Sequence, residues 1–341
     1  LLEETDEATI AEAFRLGLDR RFDCVLVPNG GPKTKPKALN YGLVGARGEL
    51  VVIYDAEDAP EPDQLRKAAA QFARGGADLA CLQARLNFYN ADENFLTRLF
   101  ALEYALWFDL LLPALERLRL PIPLGGTSNV FRTDILRRVG GWDPFNVTED
   151  ADLGLRLARL GYRTAILDST TFEEANCRLG NWIRQRSRWM KGYMQTWLVH
   201  TRDQRGLCEA VGWRGLVSAH LFVAGNFLGA LVNPLLWAAA LLWPLAGGGA
   251  FPPAQAAANV AALVAGNLLV VALAAVAPAR RGWAHLVPYA LLAPVYWQLA
   301  SYAAWRALLQ LFRSPSQWEK TAHGLSTTTK ELRIAALRRL Q

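Results

Sequence analysis

Through residues 1 to 175, hydrophobic positions fall in short runs separated by amphipathic stretches, the pattern of an α/β domain. Four runs read as strands: Cys24 to Pro28, Leu50 to Tyr54, Asp78 to Gln83 and Thr164 to Leu167. Between them, Ala8 to Leu18, Lys37 to Ala46, Pro62 to Arg74 and Asp150 to Leu160 read as helices. The run Leu50-Val51-Val52-Ile53 does not alternate with polar residues, so it is expected to be buried on both faces, as parallel strands under crossover helices are. Pro62 suits a first helical position, Gly75-Gly76 the end of that helix, and Gly161 the end of the helix that follows Thr148.

From Trp213 onward the texture changes. Leu216 to Ala246 is almost wholly apolar, with Asn233-Pro234 at its middle; Ala254 to Ala277 is a second such run; Leu286 to Phe312 is a third, broken by Pro288, Pro294 and Arg306. Runs of about 20 apolar residues are long enough to cross the hydrocarbon core of a bilayer. The pattern predicts an α/β domain over 1–211, transmembrane and interfacial helices over 212–312, and a tail over 313–341. The turn from Gly247 to Pro253 carries no charge, whereas Arg280-Arg281 closes the second run and Arg313, Lys320 and Lys330 follow the third. The positive-inside rule then puts that turn outside and both basic segments in the cytoplasm. With both ends on one side, Leu286 to Phe312 cannot cross singly and is expected to lie along the interface or form a re-entrant hairpin.

Charge supports the same division. The chain has 341 residues, 37 Lys and Arg against 31 Asp and Glu, and a net charge of +6. Residues 212–341 hold two acids, Glu319 and Glu331, and ten bases, so the excess of base lies in the apolar part. These bases interrupt apolar runs instead of clustering on a polar face among aromatics, which favours a lipid bilayer over nucleic acid as partner. With 52% hydrophobic residues the chain is not disordered. Cys24, Cys81, Cys177 and Cys208 lie far apart without paired spacing, which suggests neither zinc nor a redox motif. The opening Leu1-Leu2-Glu3-Glu4 reads as a fragment whose beginning lies upstream.

Four constellations could carry chemistry. Asp55 and Glu57 follow the strand at Leu50, where open sheets bind ligands, and two carboxylates at alternate positions suit Mg²⁺ or Mn²⁺ whose shell is completed by substrate phosphates. Thr148-Glu149-Asp150 combines an N-cap with acids that complement a helix dipole, and leaves open which acid faces a cleft. In Gln185-Arg186-Ser187-Arg188-Trp189, helical spacing puts Gln185, Arg188 and Trp189 on one face; an Arg fork suits phosphate and a Trp ring offers a plate for a sugar, although a basic helix on anionic lipid has the same composition. Gly30-Gly31-Pro32-Lys33-Thr34-Lys35-Pro36-Lys37-Ala38-Leu39-Asn40 is a basic loop opening a helix, attractive to a diphosphate but without a Walker pattern.

In this order, the K-A-x-N loop, the D-x-E turn, T-E-D, and Q-x-x-R-W followed by membrane helices resemble the processive family 2 glycosyltransferases, the group of bacterial cellulose synthase and hyaluronan synthase, from about residue 3 to about 325. The resemblance implies a GT-A α/β domain followed by an α-helical transmembrane region, in a multi-pass protein of the bacterial inner (plasma) membrane with its catalytic domain in the cytoplasm. It implies inverting transfer of a hexose from a UDP-sugar donor to a glycan acceptor, with Mg²⁺ or Mn²⁺ as cofactor and an unidentified export partner. Carried over residue by residue, Lys37 contacts the diphosphate, Asp55 the nucleotide and metal, Glu57 the metal, and Asp150 is the general base beside Glu149. Gln185, Arg188 and Trp189 bind diphosphate and acceptor, and Ser314 to Gly324, with Trp318 and Thr321, resembles the cytoplasmic gating loop. The family's first strand and uracil-contacting region have no counterpart, and Leu1 to Asp6 resembles the end of its second strand. A metal-dependent membrane glycoside hydrolase and an inactive scaffold or transport component are the other classes compatible with an acid-rich domain on a membrane anchor.

Overall fold

Two residues, Leu2–Glu3 (β1), pair in parallel with Leu26–Val27 (β2), and between them lies α1 (Glu7–Arg15), capped by the Asp6 carboxylate, which accepts from the Thr9 amide at 3.1 Å. The computed structural model describes residues 1–242, 252–315, 317–319 and 321–328. Of the run Cys24 to Pro28 these two residues alone are strand, because β1 offers a partner just two residues long. The basic loop leads into α2 (Lys35–Gly45), and β3 (Leu50–Ile53) follows.

A short β4 (Ala59–Pro60) precedes α3 (Gln64–Arg74) and the long β5 (Leu79–Phe88). Helix α3 starts at Gln64, so Pro62 lies ahead of its first turn; the Glu61 carbonyl instead accepts from the Gln64 amide at 3.0 Å. After α4 (Phe95–Ala105), a π-turn over Leu106–Leu111 leads into α5 (Leu112–Arg117). Asn94 and Thr97 cap α4 reciprocally, satisfying two amides that would otherwise lack acceptors. Then come β6 (Asn129–Arg132), α6 (Thr133–Arg138), α7 (Glu149–Arg159) and β7 (Arg163–Glu173).

The five strands line up as β3-β6-β5-β7-β4. Strands β5 and β7 are parallel, whereas β6 runs antiparallel to both β3 and β5, and β4 antiparallel to β7. The expected parallel sheet is therefore a mixed one, and β3, an edge strand, has one buried residue, Ile53. Phe131, Leu136, Trp142, Leu153 and Leu157 fill one apolar cluster with Cys81 and Ile53; Phe72, Leu82, Val130 and Leu167 fill another around α3. Emptying one such position, for example Leu157→Ala, costs about 2–5 kcal/mol.

The 22-residue α8 (Leu179–His200) carries the Q-x-x-R-W segment. Helix α9 (Gln204–Ala219), kinked at Gly212, passes through a π-turn at His220–Ala224 into α10 (Gly225–Leu242). Helix α10 runs through Asn233-Pro234 without a break. Helix α11 (Pro253–Arg280), a 3-10 stretch at Ala284–Leu292, and α12 (Ala293–Arg313) complete the helical part. The third apolar run thus falls into a 3-10 stretch and α12, which packs along α8. Gln204–Leu242 and Pro253–Arg280 are long and apolar enough to cross a membrane, a test that buried helices of soluble proteins also pass. Most of the charge-free turn before Pro253, and both Lys320 and Lys330, lie outside the described residues.

Candidate active site

Between the sheet, α7 and α8 lies a cavity of ≈ 590 Å³. Strand β3 ends at Ile53, and the chain turns sharply: the Asp58 carboxylate accepts from the Asp55 amide at 2.8 Å and from the Thr127 hydroxyl. That turn points Asp55 and Glu57 into the cavity while Asp58 braces it from behind. Burial pushes the Asp58 carboxyl up to about 6 despite these donors.

The loop Gly125-Gly126-Thr127 lines the same cavity, and no motif in the sequence marks it. The backbone of Ser128 next to it is left-handed, at φ 57°, a conformation that costs about 1–3 kcal/mol. It is held by the Ser128 amide donating to the Ile53 carbonyl at 2.7 Å and by a 2.7 Å bond from its hydroxyl to Thr171. A methyl group on Gly126 would lie 3.3 Å from Asp150 Oδ2, so the glycine leaves that carboxylate room.

Helix α7 begins at Glu149, and its first turn brings Glu149 and Asp150 into the cavity. Asp150 Oδ1 accepts from the Ala151 amide at 2.8 Å. Burial raises the pKa of both carboxyls; proximity to Asp150 raises Glu149 further, and Lys35 and Arg188 counteract without cancelling the effect. Asp152, one turn on, anchors α7 to α8: Oδ1 bonds His200 Nε2 at 2.8 Å and Oδ2 accepts from Arg156 at 2.7 Å.

Helix α8 presents Gln185, Arg188 and Trp189 to the cavity from one face. The described residues between Ser314 and Thr327 run over this face as a strap. Lys191, almost wholly buried, donates to the carbonyls of Ser314 at 3.1 Å and Gln317 at 2.8 Å. Asn181 exchanges two hydrogen bonds with the backbone of Ala322, at 2.8 and 3.1 Å, and the Glu174 carboxylate accepts from the amides of Gly324, Leu325 and Ser326. The Arg188 guanidinium lies 4.5 Å from the centre of the Trp318 ring. Trp318 and Thr321 thus border the cavity, as does His323, whose Nδ1 is 2.6 Å from Glu57 Oε1. Burial by itself would raise the Glu57 pKa, but the His323 partner holds it below the ordinary value.

Nine of the ten residues singled out in the sequence therefore share one cavity: Asp55, Glu57, Glu149, Asp150, Gln185, Arg188, Trp189, Trp318 and Thr321. Lys37 does not. Its ammonium donates to the carbonyls of Pro28 at 2.5 Å and Gly30 at 2.9 Å, fastening the loop from outside. Lys35 takes the place inside: it pairs with Asp55, donates to the Gly126 carbonyl at 2.7 Å and feels Glu149 and Asp150. Burial opposes its charge, yet those carboxylates outweigh burial and raise its pKa. Lys37 follows Lys35 by two positions on α2, about 200° around the helix, which turns it away.

Among the described residues no three His, Cys, Asp or Glu side chains form a ready metal cage. Asp55 and Glu57 nonetheless fit a divalent cation that takes the rest of its shell from phosphates and water: both are hard oxygen donors on one turn, and each already bonds a basic nitrogen, from Lys35 or His323.

A mixed sheet with acids at a strand end, a pair of acids at a helix start and the basic side chains of Lys35 and Arg188 facing them fits a GT-A-like glycosyltransferase architecture. Residues 50–252 match the family model for glycosyl transferase family group 2, and the chain belongs to that family. A probable glycosyltransferase, YdaM, of Bacillus subtilis (strain 168) is 28% identical over 181 residues, covering 48% of this chain and 39% of that protein. Glucomannan 4-beta-mannosyltransferase 1 of Oryza sativa subsp. japonica is 32% identical over 119 residues, covering 35% of this chain and 23% of that protein. The matches thus span well under half the length of these relatives. Among solved structures, the mannosyltransferase PcManGT from Pyrobaculum calidifontis, in complex with GDP-Man and Mn²⁺, superposes with a TM-score of 0.50 at 22% identity, over 85% of this chain and 74% of that one, a likeness of fold.

Proposed function

We propose that the chain is the catalytic and membrane-associated part of a processive β-glycan synthase: an inverting, metal-dependent transferase that moves a hexose from a nucleoside-diphosphate sugar to the end of a growing polysaccharide. The observation that carries this reading is the meeting of Asp55, Asp150 and the adjacent pair Arg188 and Trp189, from three distant parts of the chain, around one cavity. Such a transfer needs a base for the acceptor hydroxyl, positive charge for the departing diphosphate and a surface to orient the acceptor.

Asp150 takes the acceptor proton; its raised pKa makes it a better base than an ordinary carboxylate while it remains ionised near neutral pH. Lys35 and Arg188 stabilise the charge that develops on the diphosphate. A divalent ion, Mg²⁺ or Mn²⁺, held by Asp55 and Glu57 would supply further Lewis-acid stabilisation there. Trp189 carries the acceptor ring, with Gln185 beside it, and Trp318 and Thr321 on the strap cover the donor side.

The domain plan that goes with this is a catalytic unit over 1–211, membrane and interfacial helices over 212–312 and a strap and tail over 313–341. Helix α11 supports the membrane assignment, because just 11% of its most apolar stretch is buried and Leu268 and Leu269 are 61% exposed. Apolar surface on that scale is stable in lipid and costly in water. The resemblance favours a UDP-sugar as donor, while the mannosyl names of two relatives bring GDP-mannose into the same test.

Membranes containing the chain, incubated with radiolabelled UDP-glucose, UDP-N-acetylglucosamine or GDP-mannose and either Mg²⁺ or Mn²⁺, are expected to build labelled polymer from one donor. Absence of transfer from every nucleotide sugar, or shortening of added glycan, would overturn the reading.

A further inference from the structure

Beyond the base, the cation site and the stacking ring, the cavity contains a carboxylate that this reading leaves without a task. Glu103, on α4, borders the cavity, as do Trp107, Phe108, Trp189 and Trp297. Its carboxylate is held from behind by Arg186, the residue after Gln185 in the Q-x-x-R-W segment. Arg186 is 5% exposed and grips Glu103 with two parallel bonds, 2.7 Å to Oε1 and 2.5 Å to Oε2. The Tyr296 hydroxyl donates to Oε2 at 2.6 Å.

The same guanidinium is packed among aromatic rings, 5.0 Å from the centre of Trp189, 4.9 Å from Phe100 and 5.1 Å from Trp182. One buried cation thus fixes both a flat ring and an adjacent carboxylate. An ionised carboxylate offers about four lone-pair sites. Three donors are present here, and the Glu103 side chain remains 36% exposed, so one site is open to a further donor from the cavity. A hydroxyl is the donor that fits: sugars present an apolar ring face to an aromatic plate and hydroxyls at the ring's edge, and a carboxylate already paired with arginine accepts from a hydroxyl without drawing in a second cation.

We propose that Glu103, clamped by Arg186 and Tyr296, reads a hydroxyl of the acceptor sugar that rests on Trp189. Arg186 is then a positioning residue, which keeps ring and carboxylate in register, and Glu103 helps select which acceptor sugars are extended. The proposal rests on the transferase reading above.

Calorimetry on the purified full chain with Mn²⁺ tests it, with UDP and GDP as donor-side probes and β-1,4-linked cellotetraose and mannotetraose as acceptor-side probes. The wild-type chain is expected to bind one nucleoside diphosphate and one tetrasaccharide. In Glu103→Gln the tetrasaccharide weakens by about tenfold or more, the loss of a hydrogen bond to a charged group, while nucleoside diphosphate affinity stays within about twofold. Glu103→Asp keeps the charge for Arg186, so it preserves folding if the glutamine variant does not, and draws the carboxylate back from the sugar; it is expected to show the same split. Unchanged tetrasaccharide affinity in a folded variant, or equal loss of both ligands, overturns the proposal. A wild-type chain that binds nucleoside diphosphate but neither tetrasaccharide overturns this assignment alone, whereas one that binds neither class of ligand overturns the transferase reading itself.

Discussion

Gly192 of α8 lies directly against Thr148, the residue just ahead of α7: a methyl group added to the glycine would sit 2.4 Å from the threonine hydroxyl and 2.7 Å from its backbone nitrogen. The helix that carries Trp189 thereby packs onto the backbone that presents Glu149 and Asp150. The distance between acceptor plate and base depends on a residue with no side chain. Gly192→Ala must push these helices apart, and overpacking of this kind costs about 1–3 kcal/mol. Polymer formation is expected to fall by about 100-fold, as a misplacement of about 1 Å does. A thermal melt beside a transfer assay checks both.

Asp150→Asn removes the base but little volume. Transfer should drop by about 10²–10⁴, the usual worth of a positioned proton acceptor, with nucleoside diphosphate affinity retained. Near wild-type polymer synthesis would defeat the assignment.

The acid side of the pH profile follows from burial. Both Asp150 and Glu149 titrate above the usual carboxylate range, and a base must be ionised to act, so kcat declines as pH falls through the raised values of this pair. The limb is expected in the mildly acidic region, well above pH 4, where an exposed carboxylate would put it. A rate that stays flat down to pH 5 would contradict it.

Asp152 supplies a stability test with the opposite sign. Burial works to raise its pKa, but His200 and Arg156 prevail and hold it below the ordinary value. Its contribution is therefore present at neutral pH and lost as pH drops below about 4, through the depressed folded value. Removing one partner of a buried charged cluster costs about 3–5 kcal/mol. Asp152→Asn should lower the Tm at pH 7, and the gap from wild type should close on acidification.

The two lysines of the basic loop separate cleanly. Lys35→Met is expected to weaken nucleoside diphosphate binding by about tenfold or more, the worth of a charge-assisted contact, whereas Lys37→Met leaves it within about threefold. The reverse order would return Lys37 to the site.

Asp55, Asp150, Arg188 and Trp189 could be read from the chain because each sits at a recognisable place on its own element: after a strand, in a first helical turn, or on one helical face. Lys35 and Lys37 could not be told apart that way, because both belong to one loop and the turn of α2 decides which points inward. Strand β6 escaped notice since its apolar run is just Val130-Phe131, too short to stand out; with it went the antiparallel pairing that makes the sheet mixed. Glu103 was invisible for a different reason. Its partners, Arg186 and Tyr296, lie on α8 and α12, and no local pattern announces a pairing across that much chain.

The strap is fastened to α8 and Glu174 mostly through its main chain: Lys191, Asn181 and Glu174 all grasp backbone carbonyls or amides. Evolution is consequently free to rewrite most of its letters without unfastening it. Natural variation there should concentrate at positions that face away from the chamber, and grafting a foreign tail onto this scaffold becomes a practical route to altered substrate choice.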